Sequence, residues 1–393
     1  MTPAETRTAP RARWRLARVL SWGLAIVALA FVAWVIPLRD RCWDPRSPQS
    51  TRVAVSRAAS ECVLHLRSGD VPIDAGECAQ LRCEPGVVPT LAAARLGVLL
   101  ALLAVYAGGT LAWAARWRAL LGFAGIDIRL GEVWRLSIEA QAGGILLPGG
   151  IGGDAFRIAS VVSRPAAVRP SLAIVVASVL LDRAIGLSLI AAVACALGLA
   201  FAGHAVGFDA GTLLAVLAAI PVAVFVGIFV LRAAPEAALA KLFGTSRIGR
   251  AVEQVVSPVL AYVRDPRAPR AIAWAVAWSL IVAASQLAVV RGLVTALGAT
   301  PSLVGGGEKW VYVGAAMAFI VGAIPALPGG WGTADATYVF FFGLAGLAPG
   351  VGLSVCLLFR LFWYLSGIVG AILYLTRSGA SAGARAAKSM SKR

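Results

Sequence analysis

Residues 147–152 read Leu-Pro-Gly-Gly-Ile-Gly and residues 327–332 read Leu-Pro-Gly-Gly-Trp-Gly, each set within otherwise apolar sequence. An acid follows each copy closely, Asp154 after the first and Asp335 after the second. The next apolar run then carries Leu-Leu-x-Arg, as Leu180-Leu181-Asp182-Arg183 and as Leu357-Leu358-Phe359-Arg360. Pro148 precedes Arg183 by 35 positions, and Pro328 precedes Arg360 by 32. Blocks, acids and arginines at such similar offsets point to a diverged internal duplication.

The surroundings of the two blocks say what solvent they sit in. Of 393 residues, 59% are hydrophobic and 14% charged, with a mean hydropathy of +0.82. A soluble domain needs roughly 25% charged residues, so lipid is the expected solvent. Runs of about 20 apolar residues cross the hydrocarbon layer, and 19–38, 96–115, 171–203, 211–231, 271–297 and 352–375 qualify. The stretches 136–156 and 309–348 are apolar too, but the Pro-Gly-Gly blocks interrupt them. The run 19–38 follows five arginines and is too long for a signal-peptide core, so it reads as a retained first helix.

Loop charges orient the spans. The segment 232–270 carries Arg232, Lys241, Arg247, Arg250, Arg264, Arg267 and Arg270, which places it in the cytoplasm. The basic amino terminus and the tail with Arg377, Arg385, Lys388, Lys392 and Arg393 belong there as well. Every basic cluster falls inside only if 136–156 enters and leaves on the cytoplasmic side and 309–348 does so on the other. The expected fold is therefore an all-α polytopic membrane protein of the cell membrane. It has about six full spans plus two re-entrant Pro-Gly-Gly hairpins in an inverted internal repeat, with both termini cytoplasmic. The formal charge of +17 comes from these loops rather than from a basic stripe interleaved with aromatics, so nucleic acid is not an expected partner.

Four segments follow: 1–38, a basic tip and first helix; 39–94, an insert; 95–376, the main membrane domain; and 377–393, a basic tail. The insert balances seven arginines against seven acids, which suits the outer side. It holds Cys42, Cys62, Cys78 and Cys83, four of the six cysteines. In an oxidising compartment these allow three pairings, among which sequence does not choose. A zinc site is the alternative, but Cys78 and Cys83 are spaced too widely for a paired motif and His65 is the nearby imidazole. Val63–Arg67 followed by Ser68-Gly69-Asp70 predicts a small β-hairpin. Cys195 and Cys356, inside spans, read as packing residues.

The chemistry rests on the repeated blocks. Backbone that is neither helix nor sheet survives at membrane depth only inside protein or along a watery cavity. Each block precedes a new helix start, near Asp154 and near Thr333 and Asp335, where Asp and Thr suit the N-cap. Helix amino ends favour anions. Half-helices entering from opposite faces are the arrangement of inverted-repeat transporters. A nucleotide loop would need a preceding strand and a P-loop lysine, and neither is present; close helix packing is the plainer reading of the glycines.

An arginine at mid-span costs at least roughly 2.5–3.5 kcal/mol and needs a partner or ligand. Asp182, adjacent to Arg183, points about 100° away around a helix, whereas Asp154 and Asp335 can pair with the arginines across the repeat. Arg183 and Arg360 are either halves of structural ion pairs or receptors for a lipid phosphate. Arg157, Arg291 and Glu139 are weaker candidates, and Gln141 and Gln286 read as interhelical hydrogen-bonders.

Over roughly residues 95–376 these features resemble the transmembrane, flippase-like region of the lysylphosphatidylglycerol synthase family. The resemblance lies in Pro148–Gly152 with Asp154 and Arg157, in Asp182-Arg183, in Pro328–Gly332, and in Arg360, Leu361 and Tyr364. Thr333-Ala334-Asp335 departs from it where a Glu is expected, and the insert lies outside it. The chain ends about 17 residues past its last run, without the soluble aminoacyl-transfer domain that the best-understood members carry, so lysine transfer is not expected of it.

The resemblance implies lipid handling: translocation of an anionic or modified phospholipid, or of a lipid-linked intermediate, with membrane lipids and a lipid-making enzyme as partners. No cofactor is implied. The expected binding set is Arg183, Arg360, Asp154, Arg157, Asp182 and Asp335, with Pro148, Gly149, Gly150, Gly152, Pro328, Gly329, Gly330 and Gly332. A membrane-embedded transferase or hydrolase acting on a lipid headgroup is the alternative, but two histidines, His65 and His204, and few intramembrane acids make a thin catalytic inventory. A non-catalytic assembly partner is the third reading.

Overall fold

The structure, a computed structural model, describes residues 38–43, 53–57, 61–66, 69–74, 81–146, 150–164, 170–200, 210–233, 247–302, 306–323 and 330–390. The predicted first helix up to residue 37, His204, Cys78, the Cys62 side chain, and Pro148, Gly149, Pro328 and Gly329 lie outside the described residues.

The helices are α1 (Val87–Ala92), α2 (Leu96–Phe123), α3 (Leu130–Leu146), α4 (Ile151–Val162), α5 (Leu172–Ala200) and α6 (Ala210–Ala233), then α7 (Arg247–Arg264), α8 (Ala268–Ala296), α9 (Gly307–Ala323), α10 (Thr333–Leu344) and α11 (Pro349–Met390). Among the described residues, four helices contain stretches long and apolar enough to cross a membrane: Leu96–Phe123, Leu172–Leu197, Ala268–Ala296 and Pro349–Arg377. These coincide with four of the predicted spans, and the protein is a multi-pass membrane protein. The predicted span 211–231 falls in α6, an apolar helix of 24 residues with Pro221 inside it.

The four long helices bracket two helical hairpins of equal dimensions. The first joins 17-residue α3 to 12-residue α4, and the second joins 17-residue α9 to 12-residue α10. Backbones approach closely in the first: a side chain at Gly153 would meet the Ala140 carbonyl oxygen at 2.8 Å. In the second, Gly314 leaves room for the Phe341 side chain, whose Cβ a side chain there would meet at 2.5 Å. Small residues let helices touch where lipid supplies no hydrophobic drive.

Packing repeats the pattern on both sides. α2 lies along α8, the first long helix of one half against that of the other. α3 packs on α11, and α9 packs on α5, so each hairpin's long arm rests against the long helix that closes the other half. Local detail matches as well. Arg118 in α2 and Arg291 in α8 each precede by seven residues a positive-φ glycine, Gly125 or Gly298, that ends the helix. Past each of these glycines the next amide donates back into the last turn, Ile126 to Leu121 and Ala299 to Val294. Each hairpin then opens on Gly-Glu-x-Trp, Gly131–Trp134 in one and Gly307–Trp310 in the other.

The insert carries more than the predicted hairpin. Strands β1 (Asp40–Trp43), β2 (Val53–Arg57), β3 (Glu61–Leu66), β4 (Gly69–Asp74) and β5 (Arg82–Glu84) form an antiparallel sheet in the order β4-β3-β2-β1-β5. The expected hairpin is β3–β4, closing with Leu66 opposite Gly69. A two-stranded hairpin alone is marginally stable in water, and β1, β2 and β5 extend it to five strands. Cys42 and Cys83, register partners on β1 and β5, form a disulfide over a small core of Val55, Ile73 and Leu81. The Asp40 carboxylate accepts the Gly86 amide at 2.8 Å, and Val87 packs on Leu353, so the sheet is tied to the start of α11.

Candidate functional site

α4 begins one residue after Gly150, whose φ of +72° is a conformation that glycine adopts without strain. Without a β-carbon, Gly150 also leaves room for Arg183: a Cβ there would lie 2.7 Å from a guanidinium nitrogen. Arg183 projects from α5 toward this turn, and its Nε donates to Asp154 on the first turn of α4. The second half builds the same contact differently. Arg360, from α11, donates through one Nη2 to Asp335 Oδ2 and to the Gly330 carbonyl, both at 3.0 Å. Its guanidinium stacks 4.0 Å over the Trp331 ring.

The helix caps differ from expectation. Gly150 and Gly332 occupy the N-cap positions rather than Asp or Thr. Asp335 sits three residues in and accepts the Gly332 amide at 2.7 Å, closing the helix start from within. Asp154, in the first turn of α4, is drawn to Arg183 instead. Both caps lie at positive φ, +72° at Gly150 and +82° at Gly332, a conformation that glycine adopts without strain.

The pairing across the repeat is also corrected: Arg183–Asp154 and Arg360–Asp335 each form within one half. Each arginine stands one helix after the acid of its own hairpin, and that short helix packs directly on the long helix following it. As the helical geometry requires, Asp182 does not hold Arg183. It accepts Arg116 Nε at 2.6 Å, both terminal nitrogens of Arg157 at 3.1 Å and the Trp113 indole at 3.2 Å. Arg157 is 1% exposed, with its guanidinium 3.9 Å from the Trp117 ring centroid. Arg116 reaches on to Ser279 of α8. This set binds α2, α4, α5 and α8 together.

Of the other predicted residues, Gly152 is buried at the hairpin contact. Glu139 is buried against Arg377 and Arg135, and Arg291 pairs with Glu308. Cys356 packs in the core as expected and also donates its thiol to Asp335.

A cavity of about 410 Å³ opens where the halves meet, within the size range of ligand sites. Arg183, Gly150 and Gln141 reach it from the first half, and Arg360, Tyr338 and Gly322 from the second. Of the predicted set, Arg183, Arg360 and Gly150 line it, while Asp154, Arg157, Asp182 and Asp335 stand behind them. Arg116, Trp113 and Tyr338 also line it, and sequence reading did not single them out. A lone Arg near the end of an apolar run looks like a snorkelling residue. The repeated Gly-Glu-x-Trp would have fixed the alignment of the halves and drawn attention to α2.

A multi-pass helical membrane protein with a central, arginine-walled cavity between two hairpin-bearing halves is the class this geometry defines. The family described as Lysylphosphatidylglycerol synthase TM region matches residues 86–370, and the chain belongs to it. That membership supports a membrane lipid-related function. No curated protein and no solved structure matches the chain.

Proposed function

We propose that the protein moves an anionic or modified phospholipid, or a lipid-linked intermediate, between the leaflets of the cell membrane. The observation that carries this reading is the cavity at the meeting of the halves, to which each half contributes one intramembrane arginine, Arg183 and Arg360. A planar guanidinium fork matches a phosphate oxyanion. With its side chain 32% exposed, Arg183 remains open to a ligand even while paired.

In this proposal the two hairpins are re-entrant. Twelve residues of helix reach about 18 Å, well short of the roughly 30 Å of hydrocarbon. The halves form an inverted repeat, and rocking of one against the other alternates access to the cavity. The span count is then six with the first helix and α6 included. The termini and the 232–270 loop face the cytoplasm, and residues 39–94 face outward. The phosphate would lie between Arg183 and Arg360, with Asp154 and Asp335 holding those side chains in place. Membrane lipids are the ligands, and an enzyme that makes the lipid is a natural partner.

Proteoliposomes test this directly. Leaflet exchange of labelled phospholipids should be accelerated by the protein and should fall to the protein-free rate with Arg183→Gln and with Arg360→Gln. Because Arg360→Gln strands a buried carboxylate, Arg360→Gln with Asp335→Asn serves as its folded control. Exchange unchanged in folded variants would leave the arginines as structural ion pairs only.

A further inference from the structure

Among the described residues three carboxylates are buried: Asp182, Asp335 and Glu139. What separates them is where their cations can go. Arg116 and Arg157, which hold Asp182, are buried themselves, and so is Arg360, which holds Asp335. Arg135 and Arg377, which hold Glu139, have side chains 36% and 43% exposed, while the Glu139 side chain is fully enclosed. Neutralising Asp182 or Asp335 strands a buried guanidinium. Neutralising Glu139 strands nothing, because both of its long-stemmed arginines already reach water.

Glu139 is also loosely held. Arg377 Nη2 donates to Oε2 at 3.3 Å, and Arg135 Nε stands 3.6 Å from Oε1, too far for a hydrogen bond. Oε1 therefore has no donor among the described residues. Tyr374 faces the same place from α11, 6.0 Å beneath the Arg377 guanidinium. The other charges on helices packed against α3 are engaged elsewhere. Glu132 pairs with Arg164 and Arg135, Arg118 with Asp127, Asp154 with Arg183, and Arg116 and Arg157 with Asp182.

The Glu139–Arg377 bond lies where the halves touch. α3 belongs to the first half and α11 closes the second, and their backbones meet at this level. A side chain at Gly370 would stand 2.1 Å from the Ile138 carbonyl oxygen and 2.9 Å from the Glu139 Cα. The matching contact, α9 on α5, lacks these groups. Aligned on Gly-Glu-x-Trp, Glu139 falls on Ala315 and Arg135 on Val311; aligned on Leu-Leu-x-Arg, Arg377 falls on Ala200.

We propose that Glu139 binds a proton from the water that Arg135 and Arg377 reach, and that the neutral acid releases α11 from α3. Intramembrane acids serve as proton carriers in pumps and transporters. Only the consequence rests on the lipid reading above: a proton gradient then biases leaflet exchange.

Infrared spectra of the full chain in nanodiscs test the proton site without reference to transport. As pH is lowered from neutral to mildly acidic, the carbonyl band of a protonated carboxylic acid should grow in wild type. One component of it should be missing from Glu139→Gln and return, at a shifted frequency, in Glu139→Asp. Glu139→Gln has the shape and charge of the protonated form, and thermal unfolding checks that it folds. Wild-type and Glu139→Gln difference spectra that superimpose overturn the inference.

Proteoliposomes test the consequence. An imposed pH difference should change wild-type leaflet exchange roughly fivefold or more, the lower end of typical coupling between sites. Glu139→Gln should exchange lipid at a rate that no longer responds, and Glu139→Asp should respond again. Wild-type exchange indifferent to the pH difference, or an undiminished response in Glu139→Gln, overturns the inference and leaves the lipid reading standing. No exchange under any condition removes the lipid reading, and the infrared difference then still decides whether Glu139 takes the proton.

Discussion

The two halves of this protein solve one packing problem with opposite chemistry. Counted back from the matched Arg118 and Arg291, Arg116 falls on Val289. Counted forward from the matched acids, Arg157 falls on Tyr338, and in Leu-Leu-x-Arg Asp182 falls on Phe359. The first half therefore fills this region with two arginines around one carboxylate, and the second fills it with an aliphatic side chain and two rings. Val289 is fully buried and Tyr338 nearly so, as Arg157 and Asp182 are. A buried ion set and a well-packed apolar set can be close in stability, because desolvation offsets much of the Coulomb attraction. The difference separates what the fold needs, filled space, from what the first half adds, a network reaching four helices and the cavity wall.

The ion set also changes how each of the two matched arginines, Arg183 and Arg360, meets the cavity. In the first half Asp182 is occupied by Arg116 and Arg157, and Arg183 faces the cavity with its side chain 32% exposed. In the second, Arg360 is clamped by Asp335, Gly330 and Trp331 and is 6% exposed. One arginine is accessible and the other is anchored.

The sharpest way to break this comparison is to remove one member of the ion set. Asp182→Ala should cost about 3–5 kcal/mol, since it leaves Arg116 and Arg157 buried without an anion. Thermal unfolding in detergent measures it. Transplanting the other half's solution, Arg116→Val with Arg157→Tyr and Asp182→Phe, should recover most of that loss. A triple variant less stable than the single one would show that the ions are required for the fold itself.

Next in size is Asp335→Asn, which weakens the Arg360 pair and the bond from the Gly332 amide. It should cost roughly 1.5–3 kcal/mol, as expected for charge-assisted bonds, and should lower leaflet exchange because Arg360 loses its anchor.

Smaller still are the two glycines at the hairpin turns. Gly150→Ala and Gly330→Ala both place a side chain at positive φ and should each cost roughly 1–2 kcal/mol. Only the first drives a methyl group toward an arginine, Arg183, while the second meets the Gly322 backbone. Exchange should fall further with Gly150→Ala at equal stability, and equal losses would argue that Arg183 is no more accessible to ligand than Arg360.

The smallest effect belongs to the acids of the repeated Gly-Glu-x-Trp. Glu132 pairs with Arg164 and Glu308 with Arg291, both partly exposed. Glu132→Gln and Glu308→Gln should each shift stability by less than about 1 kcal/mol, and by similar amounts. A large asymmetry would mean that one of the two faces is locked by its ion pair.

Much of this was legible before any coordinates. Apolar run length marked the four long helices, and glycine-rich blocks inside such runs marked two interruptions, because lipid restricts backbone so tightly. Arg183, Arg360, Asp154 and Asp335 stood out for the same reason: charge is rare in such runs and costly. Arg116 did not stand out, since position along a span does not reveal which way a side chain turns. The sheet was legible only as its β3–β4 hairpin, because β1 and β5 are short and acquire their identity by pairing across forty residues of chain.

What the sequence determined by itself was the solvent, the long helices, the two hairpins and the inventory of charge, all properties of local composition measured against lipid. What the tertiary structure decided was partnership. Asp182 holds Arg116 and Arg157 rather than its neighbour, Cys42 finds Cys83, and Arg183 opens to a cavity that Arg360 meets from the other half. Those outcomes depend on which helix faces touch, and packing between segments far apart in sequence sets that, at distances over which local composition carries no information.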